Sequence, residues 1–170
     1  GARNILVGSG FSGSSVGGQL QSGSDNTLLG YFAGKALVAG SENTLVGSNA
    51  GASLTSGIGN LILGYKSAES LNTGNYNVSI GYEASNKQTI GADNINIGYQ
   101  SSYNNISGSD NINIGYQSGY TATSSINNIH IGKLAGYLST ADNNLFMGFE
   151  SGLQNTTGYE NICIGKSTGV

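Results

Sequence analysis

Apolar positions in this chain come in short groups at a fixed interval. An Asn followed four residues later by a Gly recurs at Asn4/Gly8, Asn26/Gly30, Asn43/Gly47, Asn60/Gly64, Asn77/Gly81, Asn94/Gly98, Asn111/Gly115, Asn128/Gly132, Asn144/Gly148 and Asn161/Gly165. Successive asparagines lie 22, then 17 (six times), then 16 and 17 residues apart. With Asn as position zero, positions one and three are apolar or Thr, as in Thr44 and Val46, Ile95 and Ile97, or Leu145 and Met147. Position two varies from Leu28 and Ile62 through Ser79, Asn96 and Asn113 to His130, Phe146 and Cys163. This period-two alternation, bounded by Asn and Gly and rich in β-branched residues, predicts one short strand per repeat. Positions one and three are expected inside. Position two is expected on the outer face, with His130 an outward polar residue. No useful length of the chain carries helical periodicity.

So short a strand is unstable alone. Ten at constant spacing can stack, each backbone pairing with the coils above and below at ~4.8 Å. The predicted fold is therefore all-β, a parallel β-solenoid of ten coils of about 17 residues forming a single domain over 1–170. Gly at position four suits a turn with positive φ. Asn at position zero can build an amide ladder from coil to coil. Position seven is small (Ala33, Ala50, Ser67, Ala84, Ser101), which implies a close approach of two backbones. Position fourteen is mostly Gly, a second turn. Position eleven is Leu in Leu37, Leu54 and Leu71, then polar in Gln88, Asn105 and Ser139. The middle and later coils thus show one well-marked apolar wall. A narrow one-walled rod buries too little surface to stand alone, so association of copies, with cyclic symmetry, is expected.

Composition narrows the classes. Glycine makes up 29 of 170 residues, proline is absent and charged residues are only 9%, against about 25% in ordinary domains. The net charge of −3 is spread along the chain with no basic patch, so nucleic acid is not an expected partner. Apolar runs are far shorter than the ~20 residues that cross a bilayer, so no membrane insertion is expected. Cys163 is the only cysteine, which leaves no intrachain disulfide and no cysteine metal cluster. The Gly1-Ala2 start reads as a cloning remnant, and the chain as an excised fragment.

The unit Asn-Thr-Leu-Val-Gly-Ser-Asn-Ala-Gly at 43–51, with its variants at 111–119 and 128–136, resembles two groups of repeats. One is the repeat region of phage tail fibres and tailspikes, often followed by an endosialidase-type intramolecular chaperone. The other is the head of trimeric autotransporter adhesins. The likeness spans nearly the whole chain. The 17-residue unit, longer than that of the adhesin heads, and the Tyr that commonly follows the Gly favour the fibre group. The resemblance implies a homotrimeric left-handed β-roll used for attachment, on a virion or alternatively on a bacterial surface, with a host glycan or protein receptor as partner.

Several motifs invite chemical readings that the repeat explains better. Gly8-Ser9-Gly10-Phe11-Ser12-Gly13 has the dinucleotide spacing, but no helix-forming sequence follows. Gly13-Ser14-Ser15-Val16-Gly17 resembles a nucleophile elbow, yet the lone His130 lies in a distant coil. Gly165-Lys166-Ser167 lacks the first Gly of a phosphate loop, and Lys133 and Lys166 are both position-five variants. Asp25, Glu42, Asp93, Asp110 and Glu160 precede the pivot Asn, but Gly59, Tyr76, Asn127 and Asn143 break the column. Turn capping explains the acids better than calcium. A glycosidase carboxylate pair such as Asp93 and Asp110 has no unique pocket in a repeated column. Thr55, Thr89, Thr123, Thr140 and Thr156 at position twelve raise an ice-binding alternative, but Asn72 and Ile106 interrupt them. No catalytic, cofactor or metal residue is expected, and the chain reads as a non-enzyme.

Tyrosine carries the strongest functional suggestion. Tyr65, Tyr82, Tyr99 and Tyr116 share position five in four consecutive coils, and Tyr103, Tyr120 and Tyr137 share position nine in three. They read first as stacked ladders stabilising the rod or a subunit seam. The functional reading is a glycan or partner surface of Tyr65, Tyr82, Tyr99 and Tyr116, with Gln100 and Gln117 at position six supplying hydrogen bonds. A monomeric lectin-like or ice-binding solenoid is the alternative.

Overall fold

The computed structural model describes residues 3–8 and 20–169. Stretch 9–19, which carries most of the Gly8–Gly13 and Gly13–Gly17 motifs, lies outside the described residues. Ten strands of three residues follow one another: β1 (Ile5–Val7), β2 (Thr27–Leu29), β3 (Thr44–Val46), β4 (Leu61–Leu63), β5 (Val78–Ile80), β6 (Ile95–Ile97), β7 (Ile112–Ile114), β8 (Ile129–Ile131), β9 (Leu145–Met147) and β10 (Ile162–Ile164). They form one sheet in sequence order, every neighbour parallel and matched position to position. The fold is the expected β-solenoid. Ten coils were expected from the ten Asn/Gly pairs. About eight full turns are described, those between β2 and β10, because much of the β1–β2 connection falls in 9–19.

The expected inside and outside are reversed. Each central strand has a buried middle residue between two half-buried ones. Position two is the interior: Leu28, Leu45, Ile62, Ser79, Asn96 and Phe146 are fully buried. Positions one and three face outward, and near the ends they are openly exposed, as with Leu29, Met147, Ile162 and Ile164. His130, expected to point outward, is 1% exposed. The physical reason is the width of the coil. Position two meets positions seven, eight and eleven of the opposite walls, and this small space admits one strand residue per coil. Position eleven is buried as Leu37, Leu54 and Leu71, then as Gln88, Asn105, Ala122 and Ser139, and is half-buried at Asn155. The later coils therefore do have a second wall, of mostly polar side chains.

The asparagine ladder forms as the sequence predicts and does two jobs. Asn43 donates from its backbone N and from Nδ2 to Oδ1 of Asn26, both at 3.0 Å, and Nδ2 also donates to the Gly57 carbonyl at 2.8 Å. Asn94 repeats this with Asn77 at 3.1 Å and with the Gly108 carbonyl at 2.8 Å. One side chain thus links a coil to the previous coil and ties position zero to position fourteen across its own coil. Corner geometry is met by left-handed backbone. The acids of position sixteen sit there (Asp25 φ 60°, Glu42 φ 60°, Asp93 φ 56°, Asp110 φ 59°). Turn capping by side chains falls one position earlier, where Ser41, Asn75, Ser109 and Asp142 accept a backbone N–H from the coil before.

Gly98 has φ 135° and lies against the next coil, so that an added Cβ would press on the Gly115 carbonyl oxygen. Gly98→Val is expected to destabilise by more than the ~1 kcal/mol of a generic glycine change. The loss should spread to neighbouring coils, because solenoid stability is carried by interfaces between them. Thermal unfolding by circular dichroism checks this, and an unchanged melting temperature would refute the close approach.

Candidate functional site

The two tyrosine columns are real stacks. Ring centroids along Tyr65–Tyr82–Tyr99–Tyr116 are 5.2, 5.3 and 5.1 Å apart, with planes within 24°, 9° and 7°. Tyr103–Tyr120–Tyr137 follow at 5.4 and 5.1 Å, within 10° and 9°. Parallel rings this close cannot lie side by side in one plane, because their edge hydrogens would collide; they overlap face on face. The four rings of the position-five column nevertheless stay 42–46% exposed, so the stack presents its outer side to solvent. The position-five stack continues past Tyr116 with Lys133, whose Nζ lies 5.6 Å from the Tyr116 ring centre and 5.8 Å from that of Phe149. Lys166 covers Phe149 at 5.7 Å, so the phosphate-loop-like Lys is a cation–π cap on an aromatic column.

Between the stacks runs position six. Gln117 Nε2 donates to Gln100 Oε1 at 2.8 Å, and Gln100 Nε2 donates to Glu83 Oε2 at 2.8 Å. This row is part-buried and continuous. Burial raises the Tyr120 phenol pKa, with Tyr137, Tyr103, Glu83 and Tyr99 adding to the rise. The Tyr82 phenol is raised by Glu83 first, then by burial and by Tyr65 and Tyr99. Lys66 at position six lies 5.7 Å from the Tyr65 ring centre and 3.6 Å from the Glu69 carboxylate at position nine, so positions five, six and nine share one side of the rod. The sequence treated the columns separately. The signal that joins them is the corner at positions six to eight, where Gln100 (φ 49°) and Ser102 (φ 53°) are both left-handed.

His130 belongs to the interior. Asn113 Nδ2 donates to Asn96 Oδ1 at 2.9 Å, so Asn113 Oδ1 is left to accept from His130 Nδ1 at 2.8 Å. The network assigns the proton to Nδ1 and leaves Nε2 as a buried lone pair without a partner. The imidazole stacks on Phe146 at 5.3 Å, and the backbone at Gly136 runs close under the ring. Asn96 in turn donates to Ser85 Oγ at 2.7 Å, and Ser79 Oγ donates to the same oxygen at 3.0 Å. This is a hydrogen-bonded network inside the coil. No group of three or more His, Cys, Asp or Glu side chains suited to a metal ion occurs among the described residues. Cys163 is free and half-buried. Three of the position-twelve hydroxyls are spent on the next coil, Thr55 on Asn72, Thr89 on Ile106 and Thr140 on Thr156.

No protein-family model matches the chain, and neither a curated protein nor a solved structure matches it.

Burial lowers the His130 pKa to about 4. Its direct neighbours Asn113 and Phe146 and the closely packed Gly136 are non-ionising, so no charge compensates an imidazolium. In the unfolded chain the ring takes up a proton near pH 6.5. Between pH 6.5 and 4 the unfolded state holds more protons than the native state, so stability is full above 6.5 and falls as the pH drops to 4. The loss from this group is expected on the order of 3 kcal/mol. Urea unfolding at pH 7.5 and pH 4.5 checks it, with His130→Asn extending the Asn96–Asn113 row and removing most of the pH dependence. Parallel pH profiles in parent and variant would rule the buried imidazole out as the cause.

Proposed function

We propose that this chain is a structural and adhesive segment of a viral or phage fibre, a homotrimer of left-handed β-rolls that acts as host-attachment shaft or receptor-binding part on the virion. The observation that carries the reading is the outward sheet face. Positions one and three project outward along the whole sheet, and they are almost all Ile, Leu or Val, with Thr at Thr27 and Thr44. The position-five aromatics lie beside them. Ten strands at ~4.8 Å per rung make this ribbon about 43 Å long, and its three-residue strands are about 10 Å wide. The product, on the order of 400 Å², is within the range of the largest apolar patch on a soluble monomer.

A second copy of the same ribbon is the occupant that matches it along its length, rung for rung. The repeat has no feature that would stop a foreign partner from sliding along it, whereas identical chains in register align end to end. Cyclic closure lets each copy cover its neighbours' outward columns, and the likeness to fibre repeats makes the number three. The proposal includes no catalysis. Asp93 and Asp110 are left-handed corner residues in a repeated column, and the tailspike-like part of the resemblance is taken for architecture alone. The ice-binding alternative is weakened by the Thr hydroxyls that bond the adjacent coil.

Static light scattering of purified protein at micromolar concentration is expected to give three chain masses. Ile97→Asp with Ile114→Asp, two outward positions on adjacent rungs, should convert it to monomer while leaving the coil interior untouched. A monomeric parent would overturn the fibre reading and favour the single-chain binder.

A further inference from the structure

The geometry points to a contact between copies of this chain in which the lysine-bearing edge of one copy's outward sheet face docks on the carboxylate edge of the next, with the copies parallel and in register. This rests on the reading of the chain as a homotrimer and names the surfaces that each copy offers its neighbours.

Charge is sorted across the rod. All five lysines (Lys35, Lys66, Lys87, Lys133 and Lys166) fall at positions five to ten. Six of the nine carboxylates fall at the other edge of the strands, in the two residues before the pivot Asn: Asp25, Glu42, Asp93, Asp110, Asp142 and Glu160. The three acids on the lysine edge are occupied within the chain. Glu69 pairs with Lys66 at 3.6 Å, Glu83 accepts from Gln100 at 2.8 Å, and Glu150 accepts from Ser167 at 3.5 Å. The remaining lysines rest on neutral groups and keep their charge. Lys35 covers Phe32, Lys87 lies 5.0 Å from the Tyr103 ring centre and donates to Asn104, and Lys133 and Lys166 flank Phe149. On the acid edge, Asp25 pairs with Arg3 at 2.7 Å and Asp142 accepts from Ile126 N at 2.9 Å. Glu42, Asp93, Asp110 and Glu160 are exposed, and their carboxylates have no hydrogen bond or ion pair among the described residues.

Symmetry then decides the orientation. Rotation about an axis along the rod brings the lysine edge of one copy to the acid edge of the next and keeps the chains parallel. A twofold axis across the rod makes the chains antiparallel and sets each edge against its own kind. Opposite charges favour the first arrangement, and like charges disfavour the second. The rungs agree with it. Each of the four free carboxylates shares its rung with a hydrogen-bond donor at position five: Glu42 with Ser48, Asp93 with Tyr99, Asp110 with Tyr116, and Glu160 with Lys166. Phe149, the position-five residue without a donor, shares its rung with Asn143 instead. Within one chain the two groups of a rung stand at opposite ends of a strand and do not bond. Between parallel copies in register the same rung brings them together.

The test sizes the parent chain and its charge variants by sedimentation velocity over a concentration series. Lys133→Glu with Lys166→Glu makes both edges acidic at these rungs, and Asp110→Lys with Glu160→Lys makes both basic. Glu42 and Tyr76 hold the same left-handed corner as Asp110, so a long side chain is accommodated there. Each pair of changes should raise the concentration at which the trimer half-dissociates by about tenfold or more, because like charges then meet across every contact. The quadruple variant reverses both edges together and should return to within about threefold of the parent. Circular dichroism on each sample reads the coils. Where a reversed chain melts early, Lys133→Gln with Lys166→Gln takes its place and should weaken assembly by about threefold. A trimeric parent whose charge variants dissociate as it does overturns the edge contact and leaves the fibre assignment standing. A quadruple variant no tighter than either pair does the same. A parent that is monomeric at micromolar concentration overturns the edge contact and the fibre assignment alike.

Discussion

The asparagine ladder is the interaction on which the rest of this rod depends. A coil of about 17 residues has an interior too thin for a conventional core, and each turn of the chain leaves a backbone N–H at position zero and a carbonyl at position fourteen facing inward. An unpaired buried backbone group costs about 1–3 kcal/mol, and a stack of coils would leave a pair of them on every rung. One Asn per coil resolves both at once, accepting the next coil's N–H and donating to the facing carbonyl. Its side chain is the only common one with a donor and an acceptor at the right reach on so short a stem. The strands, the corner residues and the width of the interior are set around that fixed strut.

The interior then divides in two. From β2 to β4 it is dry, with Leu28, Leu45 and Ile62 against Leu37, Leu54 and Leu71. From β5 to β8 it is wired by hydrogen bonds through Ser79, Ser85, Asn96, Asn113 and His130. Three buried polar atoms, Gln88 Oε1, His130 Nε2 and Ser139 Oγ, stay unpartnered in this half. A buried polar network fixes one arrangement when complete and weakens the packing where it is not. Uniform strand geometry on the outside thus covers unequal cohesion within.

Fold and repeat were legible in the sequence because the Asn–Gly interval is a direct imprint of backbone geometry: φ near 135° at Gly98 and its equivalents excludes a side chain. The direction of the strands was misread. Period-two alternation is symmetric, and it shows that two faces differ without showing which one is inside. Hydrophobicity decided in favour of positions one and three, a rule that fails when an outward face is itself apolar. A subtler signal pointed the other way. Positions two and eleven change together, Leu28 with Leu37, Ile62 with Leu71, then Ser79 with Gln88, as partners in one cavity must. Position eight complements position two as well, with Gly136 and Gly152 under the bulky His130 and Phe146 and Ser85 under Ser79. The tyrosine columns were legible as columns, but their ring orientation, and so which surface they offer, depends on stacking that spacing alone does not specify.

One repeat, between Asn128 and Asn144, is a residue short, yet β8 and β9 pair in full register and Asn144 N still reaches Asn128 Oδ1 at 2.9 Å. The deletion falls between Thr140 and Asn144; there the Nδ2 strut to Asn128 is lost, while the Nδ2 bond to the Asp142 carbonyl is the one that Asn60, Asn77, Asn111 and Asn128 also make to the residue two before them. The sheet side of the coil therefore acts as a ruler and the far corner as slack. Length changes in such a chain accumulate on one edge of the rod and leave the other straight. A rod built this way can gain or lose residues on the slack edge while the register of its sheet stays constant.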